Sequence, residues 1–221
     1  MQQLLLDIQP APSPTLTNFV PGRNAEVLSM LSGIVSQQEK EHYVYVWGDS
    51  GCGKSHLLRA MVDAYTQRNL KAVYCCAKNL HELIVDDALD CIAVDGIDIL
   101  SLSDQIRLLN LYNQLRDEGH AVLLMSGMAA PMYLDMRQDL VTRLGWGLVY
   151  QVLELTENER IQAMRQHATD RGFNLSEEIC HYLLPHGRRD LRSLLMTLEA
   201  LDRYSLIHKR QIISPFLREL L

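Results

Sequence analysis

The chain is short of basic residues, of paired cysteines and of long apolar runs, and each shortage removes a class of function. Lysine and arginine number 21 against 27 aspartates and glutamates, a formal net charge of −6. A surface that holds nucleic acid mainly by neutralising phosphates needs the opposite balance. The deficit is uneven: residues 1–110 carry 8 basic against 13 acidic side chains, and residues 111–221 carry 13 against 14. No uninterrupted apolar stretch approaches the roughly 20 residues that span a bilayer. The opening MQQLLLDIQP has neither the basic start nor the apolar core of a secretion signal. The five cysteines (Cys52, Cys75, Cys76, Cys91, Cys180) form no C-x-x-C pair, and the eight histidines show no ligand spacing. These gaps predict a reduced, cytoplasmic protein without a zinc site and without a membrane partner. What is present is ordinary for a packed protein, 48% hydrophobic and 22% charged over 221 residues.

Residues 9–22, QPAPSPTLTNFVPG, hold four prolines and read as a proline-rich linker, which sets residues 1–8 apart as a short apolar segment. Beyond the linker, short β-rich runs alternate with helical spacing. The runs are Tyr43–Trp47, Ala72–Cys76, Cys91–Val94, Ala121–Met125 and Leu148–Leu153. Lys54–Gln67, Ser103–Arg116 and Asp135–Leu144 have helical patterns; the first carries Leu57, Leu58, Met61 and Ala64, and the second Ile106, Leu109 and Tyr112. Five near-continuously apolar strands separated by helices predict an α/β core over 23–155, a parallel sheet with helices on both faces. Trp47 and Trp146 are expected in the core or at the domain seam. After Leu155 the strands cease. Thr156 and Glu159 have the spacing of a capping box for a helix through Ala168. Helices over Ser176–Leu184, Asp190–Ile207 and Pro215–Leu221 complete a small helical lid over 156–221.

The chemistry is concentrated in Gly48-Asp49-Ser50-Gly51-Cys52-Gly53-Lys54-Ser55, which follows a strand and opens a helix. This is the context that separates a phosphate-binding P-loop from a chance match. The glycines let backbone N–H groups turn inward around phosphates, the helix N-terminus adds partial positive charge, Lys54 reaches the β/γ-phosphates and Ser55 is a ligand for Mg²⁺. A P-loop needs a carboxylate at the end of a neighbouring strand to hold the metal, and Asp95 closes the run Cys91-Ile92-Ala93-Val94. The next position is Gly96, where many ATPases of this architecture carry the acid that orients the attacking water; Asp98 stands two residues further.

The succession of the Asn18-Phe19-Val20-Pro21-Gly22 box, the P-loop, the Asp95 strand, Thr142-Arg143-Leu144-Gly145-Trp146-Gly147 and Arg188-Arg189-Asp190-Leu191 resembles the AAA+ core of the bacterial replication initiator DnaA, over nearly all of residues 15–221. The resemblance implies an AAA+ fold with ADP or ATP and Mg²⁺ as cofactors. It adds Val20, Pro21, His56 and Arg189 to the nucleotide-binding residues of the loop, and makes Arg143 an arginine finger acting in trans. Arg137 is a less favoured substitute for the finger, Arg188 and Arg192 compete with Arg189, and Ser126 takes the first-sensor position. The sequence departs from the initiator in ending after the lid and in opening with Gln3-Leu4-Leu5-Leu6-Asp7-Ile8, similar to the peptide with which many proteins dock on the DNA polymerase sliding clamp (its β subunit). Gln3, Leu4, Leu6 and Ile8 are then the clamp-binding residues. These departures imply a DnaA-related regulator whose partners are the initiator and the clamp, reaching DNA only indirectly, with homo-oligomerisation left open. A self-sufficient ATPase acting as a helicase loader or DnaA-like initiation factor is the competing reading. A small-molecule kinase is a third, and it leaves the Arg143–Gly147 motif without a role.

Overall fold

Five apolar runs become five strands: β1 (Tyr43–Trp47), β2 (Ala72–Cys76), β3 (Cys91–Asp95), β4 (Val122–Gly127) and β5 (Leu148–Gln151). They belong to a computed structural model that describes residues 13–84, 88–186 and 191–208. The strands pair in parallel as one sheet in the order β2-β3-β4-β1-β5. The central strands are buried along nearly their whole length, β4 at all six positions. Continuous burial of this kind requires cover on both faces, which is why these strands do not alternate polar with apolar residues.

The cover comes from α1 (Ala25–Val35), α2 (Lys54–Gln67), α3 (Leu102–Glu118) and α4 (Gln138–Leu144). Helix α2 lies against β2, β3 and β4 and buries Leu57, Leu58 and Met61. On the other face Tyr45, Ile92, Val94, Leu123 and Met125 pack against Leu108, Leu111, Tyr112 and Leu115 of α3 and Leu140 and Leu144 of α4. Strand alternation sends the intervening residues to the α2 side.

Several expectations change in detail. The sequence reading has no helix at α1, although Val27, Met30, Leu31 and Ile34 are buried at one-face spacing. In α3 the buried face is Leu108, Leu111, Tyr112 and Leu115, with Leu109 half-buried beside it, and Ile106 is exposed, a correction to its expected place on that face. Helix α4 begins at Gln138 rather than Asp135: Pro131–Tyr133 forms a short 3₁₀ turn, and the Arg137 N–H donates to Gln105 Oε1 before the helix starts. Trp47 packs against the core, but Trp146 is 60% exposed, a correction to its expected burial. None of the five cysteines is in a disulfide; Cys75 is buried and its neighbour Cys76 exposed, as strand alternation requires. Among the described residues no helix is long and apolar enough to cross a membrane.

The chain divides into two compact units. The first contains 13–19, 26–48 and 53–152; the second contains 20–25, 49–52 and the residues from 153 onward. In the second, the Thr156 hydroxyl accepts from the Glu159 N–H while the Glu159 carboxylate accepts from the Thr156 N–H, the capping box that opens α5 (Glu157–Asp170). Helices α6 (Glu177–His186) and α7 (Leu191–His208) follow. Ile161, Met164, Ala168, Ile179, Cys180, Leu183, Leu194 and Leu198 make the core of this three-helix group. Asn24 belongs to the same unit: its amide accepts from the Leu153 N–H at 2.7 Å and donates to the Leu153 carbonyl at 2.9 Å. The final helix expected over Pro215–Leu221 lies outside the described residues.

His167 sets a pH dependence for this unit. Burial pushes its imidazole below the ordinary 6.5, and the neighbouring Arg171 adds to the effect, against an opposing pull from Glu199. A histidine held neutral by the fold binds a proton more readily when unfolded, so stability is lost as pH falls below 6.5 toward the depressed value. Thermal melts followed by circular dichroism should show a larger loss between pH 7 and 5 in the wild type than in His167→Gln. Equal losses would remove His167 as the cause.

Candidate nucleotide-binding site

In a parallel sheet every carboxyl end lies along one edge, and there the loop after β1 and Asp95 at the end of β3 are placed. The Gly48 N–H, just past β1, donates to the Gly127 carbonyl at the end of β4 (3.3 Å). The loop then turns through Gly51 (φ 86°) and Gly53 (φ 109°), a backbone region that side chains resist. Gly53 is also tightly packed: a Cβ there would sit 2.8 Å from Phe19 Cε2. It is the N-cap of α2 and offers no side-chain cap. A helix start preceded by a glycine turn has the arrangement that suits an anion.

Lys54 is 9% exposed, and its ammonium donates to the Gly48 carbonyl at 2.6 Å. Ser55 is exposed on the first turn of α2. His56 Nε2 donates to the Thr15 carbonyl at 3.0 Å, and its ring lies 5.5 Å from that of Phe19. Phe19 is buried and Thr15 is bonded to His56, so residues 13–19 of the expected linker are tied to α2. Of the loop residues, Asp49, Ser50 and Gly51 are exposed and Cys52 is buried, its N–H directed to the Asp49 carbonyl. Val20 and Pro21 lead into a 3₁₀ turn, Gly22–Asn24, in the second unit.

Asp95 ends β3 with both carboxylate oxygens engaged. Oδ1 accepts a short hydrogen bond from the Ser126 hydroxyl, and Oδ2 accepts from the Tyr74 hydroxyl at 2.5 Å. Ser126 is fully buried at the end of β4, and its oxygen in turn accepts from the Gly96 N–H at 2.9 Å. The Arg59 guanidinium lies 3.9 Å from the centre of the Tyr74 ring. Burial first, and then the bond to Asp95, push the Tyr74 phenol up to about 12, so it remains a donor at neutral pH.

These groups fit Mg²⁺. The Ser55 hydroxyl and the Asp95 carboxylate are hard oxygen donors, and among the described residues no group of three or more His, Cys, Asp or Glu side chains forms a cage. A cation held by one or two protein oxygens and completed by phosphate and water is characteristic of Mg²⁺. Gly96 follows in a left-handed turn (φ 78°) with open space where a side chain would be. Asp98 is exposed, and its carboxylate accepts from the Met128 N–H at 3.1 Å.

Arg143 lies in the last turn of α4, with its guanidinium 4.0 Å from the Trp146 ring centre and 6.0 Å from that of Tyr112. Among the described residues no carboxylate pairs with it. Arg137, by contrast, is committed to Asp139 through two hydrogen bonds of 3.1 and 2.6 Å. Gln3, Leu4, Leu6, Ile8, Arg188 and Arg189 lie outside the described residues, as does the side chain of Arg192.

Sequence reasoning missed Tyr74 and Arg59. The register pairs Cys76 with Asp95, so Tyr74, two residues earlier, stands diagonally from Asp95 on the same face. That separation is within reach of a long aromatic side chain. The signal lay in strand register and not in any local motif.

The family model of the bacterial DnaA ATPase domain matches residues 11–151, and that of the Hda lid domain matches residues 157–221. Domain III of the Thermotoga maritima replication initiation protein DnaA superposes with a TM-score of 0.78 at 21% identity, covering 92% of this chain and 93% of that one. DnaA from Aquifex aeolicus, solved bound to AMPPCP, gives 0.74 at 21% identity; the match covers 87% of this chain but only 65% of that protein. The Thermotoga maritima RuvB Holliday junction branch migration motor gives 0.64 at 14% identity, over 91% of this chain and 68% of the motor. With the DnaA ATPase-domain model spanning well over half of its length, the chain belongs to the bacterial DnaA-related AAA+ family.

Proposed function

We propose that this chain regulates replication initiation: it binds ADP with Mg²⁺, docks on the DNA polymerase sliding clamp and stimulates ATP hydrolysis by the initiator DnaA. The observation that carries the reading is Arg143, a guanidinium laid over the exposed Trp146 ring with no carboxylate partner among the described residues. A stacked arginine keeps its fork of donors available and leaves its aromatic rest at modest cost. Supplied to a partner's γ-phosphate, it stabilises the charge that develops as the phosphoryl group transfers.

Gly96 supports the assignment of the chemistry to the partner. The position after Asp95 carries no acid to orient a water, and Asp98 is turned to the Met128 backbone. On this chain's own nucleotide, the α2 amides hold the diphosphate, Lys54 exchanges the Gly48 carbonyl for a phosphate oxygen, and Ser55 and Asp95 hold the cation. Bound Mg²⁺ supplies neutralisation of phosphate charge. Val20, Pro21, His56 and Arg189 complete the nucleotide set, and Gln3, Leu4, Leu6 and Ile8 supply the clamp contact.

Two measurements test the reading. Deletion of residues 1–8 should remove capture by immobilised clamp in a pull-down, and undiminished capture would eliminate the peptide. The nucleotide that copurifies should be ADP, with negligible turnover of ATP by the chain alone. The Lys54, Ser55 and Asp95 set favours a second reading, a self-sufficient ATPase acting as a helicase loader or DnaA-like initiation factor. Robust turnover in isolation would establish it.

A further inference from the structure

The hydroxyls around Asp95 carry a consequence that the nucleotide reading alone does not contain, although it rests on that reading. A metal held at this carboxylate through its water shell needs lone pairs on Oδ1 and Oδ2, and a carboxylate offers about four such sites. Ser126 and Tyr74 each have one proton, and each directs it to Asp95. Neither is placed to turn away. The Ser126 oxygen is fixed by the Gly96 N–H at 2.9 Å, which leaves the carboxylate as the acceptor for its proton. The Tyr74 ring lies beneath the Arg59 guanidinium, 3.9 Å away, and its hydroxyl bond to Oδ2 is 2.5 Å. Charge-assisted O–H···O⁻ bonds of that length are among the stronger protein hydrogen bonds.

We propose that Tyr74 is a positioning residue that holds the Asp95 carboxylate on protein hydroxyls, in competition with metal-bound water, so that the site takes a nucleoside diphosphate with little dependence on a divalent cation. Ser126 does the same at the other oxygen. The chain thereby keeps a complete set of metal-binding residues while the nucleotide is retained chiefly by the α2 amides and Lys54. The device suits a site that keeps its nucleotide and does not turn it over.

Titration of a fluorescent ADP analogue, in Mg²⁺ and in EDTA, tests this on the intact chain. The readout is the ratio of the two affinities, which a general loosening of the fold would leave in place. Tyr74→Phe keeps the ring and the Arg59 stack but frees Oδ2, and the ratio should rise roughly tenfold, the worth of one hydrogen bond to a charged group at its lower end. Asp95→Asn in the Tyr74→Phe background should abolish the rise, since it removes the carboxylate that the variant frees. A ratio that stays the same or falls in Tyr74→Phe overturns the proposal. So does an unchanged ratio in Ser126→Ala, which frees Oδ1 and needs no Tyr74 variant to fold. If the wild type binds the analogue in neither buffer, the nucleotide reading fails as well; binding in EDTA with a fixed ratio overturns the Tyr74 role only.

Discussion

Arg143→Ala should abolish stimulation of the initiator's ATP hydrolysis while leaving ADP binding by this chain intact. A finger in trans is worth roughly a thousandfold or more in rate, so the variant should return the initiator to its basal turnover. The separation of the two effects follows from where Arg143 sits. It lies in the last turn of α4 and stacks on Trp146, whereas the P-loop is fed by β1 and α2. The fold should tolerate the change, because a half-exposed side chain with no ion pair among the described residues leaves no buried charge behind. Arg143→Lys distinguishes a finger from a simple positive charge. Lysine lacks the planar fork, so it should restore little of the stimulation. Single-turnover hydrolysis of ATP prebound to the initiator measures both variants. Full stimulation by Arg143→Ala would transfer the role elsewhere, and Arg137, bound to Asp139, would have to break that pair to take it.

The second large effect belongs to the P-loop. Gly53→Ala should weaken ADP binding by about 100-fold, the loss of two amide–phosphate hydrogen bonds of about 1.5 kcal/mol each. Two causes act together at this residue. Its φ of 109° strains any L side chain, and the added Cβ would meet Phe19 Cε2 at 2.8 Å. Relief requires either a backbone rotation that re-aims the first amides of α2 or displacement of the buried Phe19 ring. The strain should also cost about 1–2 kcal/mol of stability in the absence of nucleotide. Calorimetric titration with ADP and a thermal melt check the two halves independently. Unchanged affinity would mean that the loop amides are not the anion site.

How much of this was legible beforehand depended on the range of the signal. The P-loop is local: glycines, lysine and serine at fixed spacing between a strand and a helix, and the structure sets them so, with Gly53 left-handed at the head of α2. The sheet was legible because its strands are buried on both faces and therefore read as unbroken apolar runs. Helix α1 was missed although its apolar spacing is regular, because it follows directly on a proline-rich stretch and contains Gly33. The place of Ile106 was misjudged since Ile106 and Leu108 are both apolar, and only packing of the Leu108, Leu111 and Leu115 stripe on the sheet shows which of them is buried. Trp146 was expected in the core or at the domain seam, yet it is 60% exposed, and its ring carries Arg143. The hydroxyls on Asp95 come from two other strands, so they become visible only once the register of β2 and β4 against β3 is known.

The most direct test of the account follows labelled ATP held by the initiator after mixing with the ADP form of this chain and clamp-loaded DNA. The account predicts rapid conversion of the initiator's ATP to ADP, dependent on the clamp, with no turnover by this chain in isolation. A rate unchanged from the initiator alone, or hydrolysis that this chain performs without the initiator, would contradict it.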